Sequence, residues 1–286
     1  MNHSNELSQL VIDTAVKAAL SEDLGDIGDI TSNALIPEGL QSTASIVART
    51  DGVLSGMPCA LTAFHMVDDT LDITCHKKEG DILKAFDVIA TVEGNTRSIL
   101  TAERTALNFL THLSGISTLT ARFVKEVSGT KAKILCTRKT HAGLRVLEKY
   151  AVRIGGGTNH RFGLYDAVLI KDNHLAAVDS IAQAVQKARE AVGKSVKVEI
   201  EVDSLDQLRE ALTTDADVIM LDNFNLDGLR QAVEMKTAMA TRPVTLEASG
   251  GVNLQTVRSI AETGVDYISV GAITHSAQAL DIALDF

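Results

Sequence analysis

The chain has 286 residues and a formal net charge of −10, from 27 basic and 37 acidic side chains; a general polyanion binder would carry the opposite balance, so nucleic-acid binding is disfavoured. Hydrophobic residues make up 45% and charged residues 22%, the proportions of an ordinary globular protein long enough for one large α/β barrel or two domains. No apolar run approaches the roughly 20 residues of a membrane span, the N-terminal stretch lacks the basic start and apolar core of a secretory signal, and three scattered cysteines form no CxxC pair, so the expectation is a reducing cytoplasm with neither disulfide framework nor zinc cage.

In chain order, Leu7, Leu10, Val11, Ala15, Ala18 and Ala19 recur at helical spacing and predict an amphipathic helix over 7–24. Short β-like runs follow at 45–49, 71–76 and 88–92, with Gly52, Gly56, Gly80 and Gly94 marking turns. From Thr101 a long helical pattern carries Leu107, Leu110, Leu113, Ile116, Leu119 and Phe123 on one side, and Gly115 inside it is a candidate break into two helices. From Lys131 onward, apolar β-rich runs at 133–136, 167–170, 196–200, 217–221, 244–246 and 267–270 alternate with helical stretches. Ser204 and Gln207 read as a capping box, Asn253 as an N-cap and Gly264 as a helix end. This alternation implies parallel strands with right-handed crossovers, and its regularity favours a closed barrel over an open sheet.

Several of these strands finish in a polar residue or glycine: Lys171, Glu201, Asp222, Ser249 and Gly271. Their separations of 30, 21, 27 and 22 residues fit one βα unit each, and in a parallel barrel such ends converge on one rim. A charge that ends a single strand is ordinary. Lys, Glu and Asp at the same place in successive units point to a site.

Residues 136–174 hold seven basic and three acidic residues, a net of +4 in a chain of −10. Positive charge gathered within an acidic chain suggests a small anionic ligand, for which arginine offers a bidentate fork and lysine a point charge. Arg145, Lys149 and Arg153, at four-residue spacing, read as a solvated helix stripe. Arg138, Lys139, Arg161 and Lys171 adjoin strand ends or the Gly155-Gly156-Gly157 turn and read as facing the ligand. Ser249-Gly250-Gly251 and Gly271-Ala272, after the last two strands, are candidate phosphate cradles built from backbone amides. Lys171 also admits a second reading, as a Schiff-base lysine of the aldolase kind.

The stretches EDLGDIGDITS (22–32), ERTALNFLTHLSGIST (103–118), TRKT (137–140), GLR (143–145), EKYAVRIGGGTNHRFGLYDAVLIKDNH (148–174), EIEVDSLDQLREAL (199–212), IMLDN (219–223), LEASGGV (246–252) and TGVDYISVGAITHSAQALDIAL (263–284) strongly resemble the quinolinate phosphoribosyltransferase family, over nearly the whole chain and in the family's order. The resemblance implies an N-terminal α/β sandwich domain, residues 1–115 joined by the C-terminal segment 276–286 as a returning helix, and an incomplete parallel α/β barrel over 116–275. It implies a cytoplasmic homodimer whose active site is shared across the interface. The implied reaction joins quinolinate to 5-phosphoribosyl 1-diphosphate (PRPP) with Mg²⁺, giving nicotinate mononucleotide, pyrophosphate and CO₂ in NAD biosynthesis.

Carried over by position, Arg104 is the arginine lent to the partner's quinolinate. Arg138, His160 and Arg161 contact quinolinate, with Thr137 beside them and Lys171 near the substrate. Lys139 faces PRPP. Glu201 and Asp222 are the acidic pair at the ribose and Mg²⁺, and with Lys139 and Lys171 they make up the implied catalytic set. Ser249, Gly250, Gly251, Gly271 and Ala272 form the 5-phosphate loops, with His275 nearby. Two positions depart from the family pattern: Cys136 stands where it has Asp, and Ala142 where it has Pro. Cys136 reads as a packed strand residue, since no base is identifiable as its partner. A non-catalytic phosphometabolite binder, with Cys136 marking lost activity, is the remaining alternative.

Overall fold

The computed structural model describes residues 7–286; residues 1–6, the start of the stretch read for a secretory signal, lie outside the described residues. The chain divides into two compact units: one comprises the chain up to Ala121 with Thr140–Gly156 and Ile273–Phe286, the other Arg122–Lys139 and Gly157–Ala272.

The first unit opens with α1 (Gln9–Leu24), which buries Ile12, Val16 and Leu20 at four-residue spacing. In α2 (Ile30–Leu35) the Asp29 side chain caps the first turn, accepting from the Ser32 amide at 2.9 Å and from the Ser32 hydroxyl. Those hydrogen bonds hold the Asp29 carboxyl below its usual range. Next come β1 (Gln41–Ala48), β2 (Gly52–Val53), α3 (Met57–Val67), β3 (Asp72–Cys75), β4 (Ile82–Leu83) and β5 (Val88–Asn95). β5 pairs antiparallel with both β1 and β3. The other edge of β1 takes the C-terminal segment as an antiparallel strand, Ile282–Asp285, with Ser45 opposite Asp285. The returning segment is therefore a strand and not the helix expected. Leu280 and Ile282 are buried while Asp281 between them is exposed, a period of two that suits a sheet edge.

Helix α4 (Thr96–Glu126) runs unbroken for 31 residues. Gly115 does not divide it. A Cβ there would meet the Gln278 carbonyl oxygen at 2.1 Å and Ala279 Cα at 3.2 Å, and the Leu280 amide donates to the Thr111 carbonyl at 2.9 Å. Glycine is required because the C-terminal segment lies directly on the helix. Gly115→Ala is accordingly expected to lower stability by about 1–3 kcal/mol through overpacking. Urea unfolding checks this, and an unchanged midpoint would contradict the close approach.

The stripe expected on α5 (Arg145–Ile154) is not solvated. Lys149 is wholly buried along with Leu147, Glu148, Tyr150, Ala151 and Val152, and Arg145 Nε donates to Thr140 Oγ1 at 3.1 Å. Four-residue spacing of basic groups marks one helix face but does not say which side of the unit that face meets.

The second unit is built on β6 (Lys133–Leu135), β7 (Val168–Ile170), β8 (Val198–Val202), β9 (Val218–Asp222), β10 (Thr245–Ser249) and β11 (Tyr267–Ser269). All neighbours are parallel, in the order β6-β11-β10-β9-β8-β7. A parallel bridge from Leu135 to Thr158 begins the next position beyond β6. Among the described residues no ladder closes the gap to β7, so this is an incomplete α/β barrel. The crossovers start on side-chain caps: Ser180 before α7 (Ile181–Val192), Ser204 before α8 (Leu205–Ala211) and Asn225 before α9 (Leu226–Met239), each accepting from an amide three residues on. A single turn, α6 (Asp172–Leu175), follows β7, and α10 (Val257–Glu262) and α11 (Ala272–His275) follow β10 and β11. Asn253 caps the turn that leads into α10, accepting from the Gln255 and Thr256 amides, while Thr256 takes the N-cap position itself.

Candidate active site

In β8 the sequence Val198-Glu-Ile-Glu-Val202 alternates, and the register pairs Glu199 with Val218 and with Leu169, and Glu201 with Met220. Matched residues of a parallel pair share a face, so Glu199 and Glu201 lie on one side of the sheet with Met220, and Asp222 and Ser249 follow on that side one step nearer the rim. At the rim Lys171 Nζ donates to Glu201 Oε2 at 2.7 Å, with 45% of the lysine side chain exposed and 14% of the glutamate's. Asp222 Oδ2 accepts from Asn223 Nδ2 at 2.7 Å. The Asn223 amide in turn donates to the Ser249 carbonyl at 2.9 Å, which ties the ends of β9 and β10 together. Gly250 (φ +100°) and Gly251 (φ +61°) turn left-handed immediately afterwards, and a Cβ on Gly250 would sit 2.1 Å from Asn223 Oδ1. The glycine pair thus has a steric reason at this rim.

After β6, Thr137 Oγ1 accepts from the Lys139 amide at 3.0 Å, a tight turn that leaves Lys139 exposed. Arg138 Nε and Arg161 Nε are both buried and have no hydrogen-bond acceptor. Burial, and then the nearby Arg138 charge, holds the Arg161 guanidinium below its usual pKa, while Glu199 and Asp166 act against that shift. Arg161 Nη1 donates to the Ala167 carbonyl at 3.0 Å, which orients the fork. Two crowded guanidiniums with unmet donors define a place for an anionic group.

His160 has both ring nitrogens engaged: Nδ1 accepts from the Arg161 amide at 2.8 Å, and Nε2 lies 2.9 Å from Glu199 Oε2. This fixes the tautomer with the proton on Nε2. Cys136, one residue past the end of β6, is fully buried and its thiol donates to Asn159 Oδ1 at 3.3 Å, the setting of a packed residue.

The sequence reading did not single out Glu199, Glu247 and Ser269, which form a buried cluster beneath His160. Glu247 Oε2 lies 3.8 Å from His160 Nε2, and Ser269 Oγ donates to Glu247 Oε1. The signal was available, since Glu199 and Glu247 each sit two residues before a rim residue on the same face. Burial, and then the Glu199 charge, pushes the Glu247 carboxyl well above the usual carboxylate range. A proton on Glu247 relieves its repulsion with the Glu199 charge. The native state binds this proton and the unfolded chain releases it. The stabilisation is therefore complete below the ordinary carboxyl pKa and is lost as pH rises toward the raised value. Glu247→Gln keeps the shape without the titration, and is expected to flatten the fall of Tm from about pH 5 upward. A profile parallel to that of the unchanged protein would contradict this.

The rim residues Thr137, Arg138, Lys139, His160, Arg161, Lys171, Glu201, Asp222, Ser249, Gly250, Gly251, Gly271 and Ala272 all belong to the second unit. Arg104 and His275 belong to the first. The Arg104 side chain is 63% exposed and comes only within 3.9 Å of Glu103, and His275 Nδ1 lies 2.5 Å from Ser276 Oγ. A 290 Å³ cavity lined by Lys131, Lys133, Lys236 and Asp266 opens near the N-terminal ends of β6, β10 and β11, away from the rim; two of its lysines are held by Asp266 at 2.7 Å each. Among the described residues no helix is long and apolar enough to cross a membrane.

Arginines with buried, unmet Nε donors, strand-end carboxylates and glycine turns on one barrel rim define a barrel enzyme for anionic, phosphorylated substrates. Comparison with known proteins narrows the class. The family model described as "Quinolinate phosphoribosyl transferase, N-terminal domain" matches residues 29–114, and that described as "Quinolinate phosphoribosyl transferase, C-terminal domain" matches 116–285. The chain belongs to the quinolinate phosphoribosyl transferase family. It is 46% identical over 272 residues to the nicotinate-nucleotide pyrophosphorylase [carboxylating] of Mycobacterium leprae, covering 94% of this chain and 95% of that one. It is 40% identical to a Nicotiana tabacum quinolinate phosphoribosyltransferase [decarboxylating], over 94% and 80% of the two chains. The solved nicotinate-nucleotide pyrophosphorylase of Francisella tularensis superposes with a TM-score of 0.91 at 41% identity, covering 98% of both chains.

Proposed function

We propose that this chain transfers the phosphoribosyl group of PRPP to quinolinate with loss of CO₂, giving nicotinate mononucleotide and pyrophosphate in the cytoplasm. Beyond family membership, the observation that carries this reading is the pair of buried, acceptor-free N–H donors on Arg138 and Arg161. Quinolinate has two carboxylates and PRPP is a polyanion, so the two repel in a poorly solvated site unless fixed positive charge lies between them. A nicotinate site would need to neutralise only one carboxylate. In this reading Arg138 and Arg161 hold quinolinate, with Thr137 shaping the turn and His160 fixing the start of the Arg161 segment. Lys139 faces PRPP, and the turns at 249–251 and 271–272 take the 5-phosphate, with His275 close by in sequence.

The ring nitrogen attacks the anomeric carbon as its bond to pyrophosphate breaks, and positive charge builds on the ribose. The Glu201 and Asp222 carboxylates stabilise that charge. Mg²⁺ fits the same pair: each carboxylate has one oxygen engaged, by Lys171 or Asn223, leaving the second for a hard cation that also takes water. Such an ion would supply counter-charge for the departing pyrophosphate. After the nitrogen becomes cationic, the C2–carboxylate bond breaks, CO₂ leaves and the electron pair at C2 takes a proton. Lys171 is the better donor, because both nitrogens of His160 are occupied while the Lys171 ammonium is partly open to solvent. A Schiff-base role for Lys171 is disfavoured because its Nζ is already engaged by Glu201 at 2.7 Å.

Purified protein with quinolinate, PRPP and Mg²⁺ should release CO₂ and pyrophosphate in equal amounts, and nicotinate in place of quinolinate should give neither; turnover of nicotinate alone would overturn the reading. The exposure of Arg104 supports a homodimer in which it serves the partner's site. Mixing inactive Arg104→Ala with inactive Lys139→Ala should then restore part of the activity. Confirmed subunit exchange without recovery would end the shared-site claim.

A further inference from the structure

In the first unit, three side chains converge on α5. Glu148, on α5, is wholly buried. His112, on α4, places Nε2 2.9 Å from Glu148 Oε1. His141, in the turn before α5, places Nδ1 2.6 Å from the same oxygen, and its own amide donates to Glu148 Oε2 at 3.2 Å. The two imidazoles meet edge to face, with centroids 5.1 Å apart and planes at 83°. The three ligand atoms all lie within 4.8 Å of one another.

We propose that His112, His141 and Glu148 form a binding site for a borderline divalent transition ion of the Zn²⁺ class. Two nitrogens and a carboxylate oxygen are the donor set that such ions take in three-ligand sites, with water in the fourth position. An ion about 2.0–2.1 Å from each atom needs ligand atoms about 3.3 Å apart. The two separations to Glu148 Oε1, 2.6 and 2.9 Å, lie within 1 Å of that spacing, and the two histidine nitrogens lie no more than 4.8 Å apart. The mobile partner is available: the His141 side chain is 54% exposed and the His112 side chain 26%, while Glu148 is held in the interior. Exposure of His141 also gives the ion an entry path and room for its water. Imidazole ligands select Zn²⁺, Co²⁺ or Ni²⁺ and reject Mg²⁺, which demands oxygen and keeps its waters. Coordination replaces the two imidazole–Glu148 contacts, and it clamps the turn that carries His141, two residues after Lys139, onto α4 and α5.

Tag-free, metal-stripped protein titrated with Co²⁺ tests this through visible absorption. The expected result is the intense band pattern of low-coordinate Co²⁺, saturating at one ion per chain, displaced by Zn²⁺ and untouched by excess Mg²⁺. Zn²⁺ should also raise the Tm of the unchanged protein. His141→Ala, at an exposed position, should remove both effects while folding normally, and His112→Gln should remove the band in the same way. Only the faint spectrum of hydrated Co²⁺, or an undiminished band in His141→Ala, would overturn the proposal and leave the cluster a hydrogen-bonded anchor for the turn.

Discussion

Glu201→Ala is expected to lower kcat about 10²–10³-fold, the scale set by removing one preorganised electrostatic partner of a developing charge, while quinolinate affinity stays within a few-fold. The carboxylate sits at the rim end of β8 and is pinned by Lys171 at 2.7 Å, so its orientation is set before substrate arrives. Its role in the proposed reaction is to face charge that exists only as the bond to pyrophosphate breaks. Loss of such a partner lowers kcat and kcat/KM together and leaves ground-state binding in place. Asp222→Ala should behave in the same way, with Asn223 losing its partner as well. Pre-steady-state turnover alongside equilibrium binding separates the two quantities. If either variant weakened quinolinate binding by as much as it slowed turnover, the acidic pair would be holding substrate and not stabilising the transition state.

Arg161→Ala should show the opposite pattern. Its Nε is buried and unmet, its Nη1 is committed to the Ala167 carbonyl, and the Arg138 charge lies nearby. Removing a buried donor from a charged hydrogen bond costs about 2–5 kcal/mol, equivalent to a loss of roughly 30- to 5,000-fold in affinity. That loss should fall on quinolinate and barely touch PRPP. Arg161→Lys should not restore binding, because an ammonium cannot reproduce the planar fork that reaches both Ala167 and a carboxylate. Calorimetric titration with each substrate reads the split, and a full rescue by lysine would show that charge alone suffices.

Much of the second unit was legible because parallel strands buried on both faces read as apolar runs, and several runs ended in a polar residue. That punctuation alone placed Lys171, Glu201, Asp222 and Ser249 at strand ends, where the structure has them. What escaped had local patterns with two solutions. Glu199 and Glu247 interrupt apolar strands two residues early, and only the register shows that they lie beneath His160. Lys149 sits at solvated-stripe spacing yet is buried. Gly115 resembles a helix break, and only the path of residues 278–280, far along the chain, explains it. The C-terminal strand was missed for a similar reason, since four residues at an edge carry too little pattern until β1 supplies their partner.

The most direct test is equilibrium binding of quinolinate and nicotinate, side by side, to the unchanged protein and to Arg138→Ala at matched ionic strength. The account predicts that quinolinate binds at least about tenfold more tightly, for a second carboxylate meeting a charged donor worth about 1.5–3 kcal/mol, and that the gap closes in Arg138→Ala. Equal affinity for the two acids in the unchanged protein, or a gap indifferent to Arg138, would contradict it.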